Sequence, residues 1–308
     1  MRIYEGISNF RRLDHAVVTS GTYDGVHKGH QKILQRMIEV AKNEGGETVL
    51  ISFWPHPRMV LNNDPGFLKL INTMDEKQEL LRNIGINHLI LIPFTLEFAQ
   101  TSSTDFIKNI LVDVIGTKKL IIGYNHRFGK NREGSFDNLV KDSSKYGFEV
   151  EEIPKHEIDD LGISSTIIRK SLIKGDIPTA NRYLGHPFLI NGLVIHGDKL
   201  GKTIGFPTAN LQIEEAYKII PGDGVYAVIV NVRGREFKGM LNIGIRPTVD
   251  GLNRKIEVHI LDFNKDIYQE KISIKFVKKV RDEKKFESLD HLKTQLEIDR
   301  GTITEILK

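Results

Sequence analysis

Residues 21–34 of this 308-residue chain read "GTYDGVHKGHQKIL", and two of them, His27 and His30, flank a glycine where a strand pattern gives way to a helix pattern. Gly25 and Gly29 let the backbone turn tightly and approach a ligand with no Cβ in between. The helix that follows aims its first N–H groups and the positive end of its dipole at the same point. Two imidazoles placed there can donate to phosphate oxygens. This combination suits an anion whose charge grows during reaction, as when the α-phosphate of a nucleotide is attacked and pyrophosphate leaves. H-x-G-H by itself also fits a plain turn with exposed histidines. The strand before it and the helix after it favour the phosphate reading.

Other stretches carry weaker signals. In "GISSTIIR" (162–169), Ser164, Ser165 and Thr166 stand at the start of a helix whose first turn carries Arg169. The hydroxyls serve as N-caps, or with the guanidinium as ligands for triphosphate oxygens. In "GDKLGKTIGFPTANL" (197–211), Gly197, Gly201 and Gly205 make a pliable loop, and Lys199 and Lys202 supply positive charge. This is not a Walker loop, because G-K-[ST] with the right upstream spacing and a helix is absent. Thr208 and Asn210 offer hard oxygen donors of the kind Mg²⁺ takes beside its waters and substrate phosphates. Without a ligand the same stretch reads as an ordinary hairpin loop.

Glu257 in "KIEVHILDF" alternates with Ile256 and Val258, so it faces away from the core they enter. A carboxylate there can take a proton from a hydroxyl that attacks ATP. Judged by pattern alone it is a solvated strand-face charge. His56 in "WPHPRM" and His126 in "GYNHRFG" follow strands at the expected ligand edge. Neither has metal-ligand spacing, and both read as surface residues.

These residues need elements to position them. Over residues 14–153 the pattern is β-α-β-α-β-α-β-α-β: "HAVVTSG", "TVLISFW", "HLILIPF", "KLIIGYN" and "FEVEEI" as strands, with helices between. Ile33, Leu34, Met37, Ile38 and Ala41 recur at helical spacing until Gly45-Gly46. Thr73 and Glu76 have capping-box spacing ahead of Leu80, Leu81 and Ile84. Phe106, Ile107, Ile110, Leu111, Val114 and Ile115 share one face of a further helix. Continuous apolar strands separated by helices mean a parallel sheet covered on both faces, with ligands at the carboxyl ends of its strands.

Two short helices follow, and then the texture changes. From Pro187 to Glu283 strands alternate with turns such as Gly222-Asp223-Gly224 and Arg233-Gly234, which predicts a small antiparallel β-barrel. The end is helical, with Leu289, Leu292, Leu296 and Ile298 as its expected apolar stripe. The expected division is 1–184 and 185–308.

Composition narrows the classes. There is no cysteine, which removes disulfides, thiolate metal sites and cysteine nucleophiles. The start has no apolar run behind a basic head, and no stretch approaches the roughly 18 apolar residues of a membrane span. The expected compartment is the cytoplasm. The net charge of +4 is not gathered with aromatic residues into one tract, as a nucleic-acid surface would favour.

Taken in order, "GTYDGVHKGHQKIL", "SFWPHPRMVL", "FTLEFAQTSSTDFI", "IIGYNHRFG", "GISSTIIRKSLIKGDI", "GFPTANL", "PGDGVYAV", "NIGIRPTV", "IEVHILDF" and "RDEKKFESLDHLKTQLEID" span nearly the whole chain. Together they resemble the bifunctional bacterial riboflavin kinase/FAD synthetase family. The resemblance implies a nucleotidyltransferase-like, Rossmann-like parallel-sheet domain that moves AMP from ATP to FMN, giving FAD and pyrophosphate. It implies that the barrel phosphorylates riboflavin with ATP and Mg²⁺. His27 and His30 would contact ATP phosphates, and Gly21, Asp24, Gly25 and Gly29 would bind ATP beside them. Ser164, Ser165, Thr166 and Arg169 would hold the nucleotide, with Asn125 and Arg127 at the flavin side. In the kinase, Gly197, Gly201 and Lys202 would lie on ATP, Thr208 and Asn210 would serve Mg²⁺, Glu257 would be the base and Arg281 would lie near the flavin. The partners implied are small molecules only, with no nucleic acid and no membrane.

The chain departs from the family pattern in places. It has Tyr23 where Phe is common, Asn125-His126 where Asp-Phe is common, and Lys199 and Lys202 where arginines are common. Two other readings compete: an adenylyltransferase for another phosphorylated acceptor, and a non-enzymatic flavin-binding or nucleic-acid-binding protein. The intact "GFPTAN" and "IEVHILDF" speak against a chain without a kinase.

Overall fold

The computed structural model describes residues 1–62, 68–124, 127–130, 133–134, 136–155, 162–197, 200–248 and 251–308. They form two compact units, Met1–Ser165 and Thr166–Lys308.

The first unit is built on six strands: β1 (Arg2–Glu5), β2 (Ala16–Ser20), β3 (Glu47–Trp54), β4 (His88–Pro93), β5 (Thr117–Gly123) and β6 (Glu149–Ile153). They lie in the order β1-β4-β3-β2-β5-β6, and every pairing is parallel. The expected series begins at β2. "RIYE" adds an exposed edge strand with no apolar run to announce it.

Four helices cover this sheet: α1 (Lys28–Glu44), α2 (Met74–Ile84), α3 (Phe106–Ile115) and α4 (Phe136–Tyr146). Successive strand residues point to opposite faces, and the core divides accordingly. Val18, Ile51, Ile90, Leu120 and Ile122 pack with Phe106, Ile107, Ile110 and Leu111 of α3. Val17, Leu50, Leu89 and Ile121 pack with Ile33, Leu34 and Met37 of α1 and Leu81 of α2. The capping box of Thr73 and Glu76 is present as expected. Over Phe106–Ile115 the chain winds as a π-helix where the spacing predicts an α-helix; paired apolar residues at these intervals serve either winding.

Beyond β2 the chain runs outward through β3 and β4, then returns to the other side of β2 for β5 and β6. The reversal puts a crevice at the carboxyl ends of β2 and β5, the place where sheets of this kind take ligands.

The second unit contains most of α5 (Ser165–Lys174), then α6 (Ile177–Leu184) and a closed barrel. Its strands are β7 (Leu189–Ile195), β8 (Ala209–Gln212), β9 (Gly224–Val232), β10 (Arg235–Thr248), β11 (Gly251–Ile260) and β12 (Lys271–Arg281), in the order β10-β11-β8-β7-β12-β9. All pairings are antiparallel. The β9–β10 hairpin turns at Arg233 and Gly234, both with positive φ, as a two-residue turn requires. β8 falls within a stretch that reads as loop.

The closing helix, α7 (Leu289–Ile306), turns a different face to the barrel than expected. Leu289 and Ile298 are exposed. Leu296, Ile303 and Ile306 pack on Val225, Ala227 and Met240 of the barrel, and the helical position between Leu296 and Ile303 is filled by buried Asp299. The spacing 292, 296, 299, 303 is continuous, but its third member is a charge, which hides the stripe from an apolar count.

Candidate active sites

In the first unit the chain leaves β2 and turns through Gly21–His27 into α1. Tyr23 (φ 49), Gly25 (φ 88) and Val26 (φ 39) all take left-handed backbone conformations. For Tyr and β-branched Val this is strained, of order 1–3 kcal/mol each, and the neighbours hold it. The Asp24 carboxylate accepts from the backbone N–H of Ile71 (2.9 Å) and Asn72 (3.3 Å) just before α2. The Lys77 ammonium donates to the Thr22 carbonyl at 3.0 Å. The Ser165 hydroxyl donates to the Asp24 carbonyl at 2.9 Å. Thr19 spends its hydroxyl hydrogen on Ile121 O, so the Tyr23 hydroxyl donates to Thr19 at 3.0 Å. That satisfies the one polar atom by which Tyr23 departs from Phe, and burial raises its pKa.

His27 caps α1, its Nδ1 accepting from the His30 N–H at 3.4 Å. The two rings stack with centroids 3.6 Å apart and planes at 16°. The His27 donor is therefore Nε2. His30 lies 4.7 Å from the Tyr23 ring; its Nδ1 is enclosed with no hydrogen-bond partner among the described residues. Burial first, then His27 and Lys77, hold its pKa well below the ordinary histidine value. His30 is a neutral donor, not a standing cation. Lys77 is absent from the sequence expectation. It is buried, and burial, partly offset by Asp24, brings its pKa down to about 8. Its position one turn before Leu81 on the inward stripe of α2 is the signal that reveals it.

The other first-unit expectations divide. Gly21, Gly25 and Gly29 lie in the turn or the first turn of α1, as expected. Arg127 is exposed. Asn125 and His126 lie outside the described residues, although β5 ends at Gly123 beside the crevice. His56 corrects its reading as a surface residue: it is buried and caps the short helix Pro57–Leu61, accepting from Arg58 N at 3.1 Å. Ser164 and Ser165 end this unit, and Thr166 and Arg169 continue along α5 in the second.

In the barrel, the 197–211 stretch is fixed by close approaches. A Cβ on Gly197 would lie 1.9 Å from the Asn210 amide nitrogen, and one on Gly201 would lie 2.2 Å from the Phe206 carbonyl oxygen. Phe206 N donates to Gly201 O at 2.8 Å. Phe206 itself is buried beneath α7, with the Arg300 guanidinium over its ring. This anchoring places exposed Thr208 just before β8 and buried Asn210 within it. Lys199 and the side chain of Lys202 lie outside the described residues.

Register then joins two expected residues. Asn210 lies opposite Glu257 on β11 and opposite Ile195 on β7. Directly opposed residues have Cβ atoms about 4.5–5.5 Å apart on one face. Among the described residues neither the Asn210 amide nor the Glu257 carboxylate makes a hydrogen bond or ion pair. A half-buried carboxylate and a buried amide, opposed across two strands and without a partner among the described residues, are open to bind a ligand. Arg281 is placed otherwise: its guanidinium is bonded to buried Asp299 through Nε (2.9 Å) and a terminal nitrogen (2.8 Å). It also lies over the Phe286 ring.

Two family models match, one on each part of the chain. The family model described as FAD synthetase matches residues 10–167, and the one described as riboflavin kinase matches residues 184–307. The bifunctional riboflavin kinase/FMN adenylyltransferase of Escherichia coli (strain K12) is 36% identical over 308 residues, covering 99% of this chain and 97% of that protein. The protein of the same name from Listeria monocytogenes is 38% identical, covering 92% and 90%. A crystal structure described as a macrolide-efflux protein from Streptococcus pneumoniae superposes with a TM-score of 0.91 at 30% identity, covering 99% of both chains. Among the described residues no helix is long and apolar enough to cross a membrane. With both family models and full-length relatives in agreement, the chain belongs to the bifunctional riboflavin kinase/FMN adenylyltransferase family.

Proposed function

We propose that the chain makes FAD in two ATP-dependent steps, riboflavin to FMN in residues 185–308 and FMN to FAD in residues 1–184. The observation that carries this reading is that each matched family falls on the unit holding the corresponding constellation. His27 and His30 lie within the FAD synthetase match, and Asn210 and Glu257 within the riboflavin kinase match.

In the first unit an oxygen of the FMN phosphate attacks the α-phosphorus of ATP and pyrophosphate leaves. The neutral imidazoles of His27 and His30 donate N–H groups to phosphate oxygens as their charge grows. The strained Gly21–Gly29 turn, with Asp24 tied to the backbone ahead of α2, keeps those donors in place before substrate arrives. By the motif match, Ser164, Ser165, Thr166 and Arg169 hold the nucleotide, and Asn125 and Arg127 serve the flavin.

In the barrel a riboflavin hydroxyl oxygen attacks the γ-phosphorus of ATP. Glu257 takes the hydroxyl proton, and the bond to ADP breaks. Gly197, Gly201 and Lys202 cover the phosphates. Arg281, its guanidinium fixed by Asp299, forms part of the flavin side. Thr208 and Asn210 would hold Mg²⁺. An exposed hydroxyl and an amide with no partner among the described residues are hard oxygen donors of the right kind. When bound, the ion neutralises charge shared between the phosphates. The compartment for both steps is the cytoplasm.

The experiment is a chromatographic time course of riboflavin with ATP and Mg²⁺. FMN should appear and then give way to FAD. FMN alone would remove the adenylyl-transfer half of the reading, and no product even from added FMN would remove all of it.

A further inference from the structure

β11 has a neighbour on each side, and only one of its two polar partners is assigned above. Glu257 faces Asn210 across the β8 ladder and Asn242 across the β10 ladder. The three residues form one register row, on one face, at the spacing of directly opposed strand residues.

Asn242 is half-buried between Leu241 and Ile243, both fully buried on the opposite face. Two of its neighbours on that face are apolar. Met240, two residues before it, packs beneath α7, and Val225, its partner on β9, is 2% exposed. An apolar or β-branched residue would serve folding better here. Among the described residues the Asn242 amide makes no hydrogen bond. The fold therefore leaves three neighbouring polar side chains unused, with the carboxylate in the middle. A carboxylate that accepts a proton has to present one oxygen to the hydroxyl and keep the other held. A donor on the β10 side, away from Asn210 and the phosphates it faces, meets that need and favours the ionised form.

We propose that Asn242 is a positioning residue of the kinase reaction: opposed to Glu257 in register, its amide N–H donates to one oxygen of that carboxylate when riboflavin binds and leaves the other oxygen for the riboflavin hydroxyl. The inference rests on the reading of Glu257 as the base.

The test is steady-state kinetics of both reactions in the full chain, for Asn242→Ala, Asn242→Ser and Asn242→Asp, with Glu257→Gln measured beside them. Asn242→Ala should lower the kcat of riboflavin phosphorylation about 10- to 100-fold, the worth of a hydrogen bond to a charged group. KM for riboflavin and ATP should stay within about twofold, and FMN adenylylation should be unchanged. Asn242→Ser keeps a donor and should recover much of the kcat. Asn242→Asp opposes like charges and should fall below the alanine variant. Wild-type kcat in Asn242→Ala would overturn the proposal. So would a loss confined to KM for ATP, or one shared by the serine variant to the same degree. If Asn242→Ala shows wild-type kcat while Glu257→Gln is inactive, Asn242 alone is refuted. If Glu257→Gln stays active, the base reading fails and the proposal falls with it.

Discussion

His27 and His30 stack face to face at 3.6 Å, and the ring nitrogen that caps the helix belongs to the first while the N–H it accepts belongs to the second. One contact thus starts α1, fixes a tautomer and sets the spacing of two donors. Replacing either ring disturbs both.

His30→Ala should reduce adenylyl transfer to FMN by about 10²–10³-fold, the usual loss for one donor to a developing anion. Riboflavin phosphorylation should remain within about twofold. A product time course from riboflavin would then stop at FMN. Equal loss of both activities in a chain with native circular dichroism would contradict two separate sites.

Glu257→Ala should show the reverse pattern. Riboflavin phosphorylation should fall by about 10²–10⁴-fold, the range for a general base, while added FMN is still converted to FAD. The two conversions are measured separately, each from its own substrate.

Gly197→Ala tests the crowding around Asn210. The added Cβ would sit 1.9 Å from the amide nitrogen, so the Asn210 side chain must turn away from the place it holds. Kinase activity should fall at least tenfold, with a raised Mg²⁺ requirement, while FAD formation from FMN is spared. A Mg²⁺ titration of both activities reads this directly.

A fragment starting at residue 185 should keep the barrel but melt below one starting at residue 166. Asn181 of α6 donates to Phe276 O (2.9 Å) and accepts from Phe188 N (2.7 Å), and Gly222 N donates to Leu172 O of α5 at 3.0 Å. Each buried group left unpaired costs about 1–3 kcal/mol. Thermal unfolding of the two fragments, with kinase assays on each, would show the difference.

His30 also predicts a pH response. Its pKa in the folded chain lies well below the ordinary histidine value of 6.5, so in acid the unfolded state binds a proton that the folded state refuses. Stability from this group is present above about pH 6.5 and is lost as pH falls below it. The proton NMR signal of the His30 ring should show a neutral imidazole at pH 6. Unfolding free energy between pH 7 and 5 should fall less steeply in His30→Asn.

Much of this architecture is legible before any coordinates. Val17 and Val18 announce a strand buried on both faces, and Thr73 with Glu76 announces the start of α2. His27, His30, Asn210 and Glu257 stand out by type. The rest is illegible for identifiable reasons. β8 has four residues behind two glycines and a proline, and it is a strand because β7 and β11 pair with it from both sides. The face of α7 is masked because Arg281 permits an aspartate in its apolar stripe. Lys77 and Asn242 were each available from periodicity, Lys77 four residues before Leu81 and Asn242 two after Met240. Lys77 lies outside the motifs, and Asn242 opens "NIGIRPTV", where its type alone assigns it no role.

The crowding of Gly197 against Asn210 reaches into descent as well as mechanism. The amide occupies the space that any side chain at 197 would need, so the two positions are not free to drift separately. A lineage that gains a side chain at 197 has to surrender the asparagine, or its placement, first. If Asn210 has the proposed role, paired change at these two positions, in chains that keep the barrel, should accompany loss of riboflavin phosphorylation while the scaffold endures.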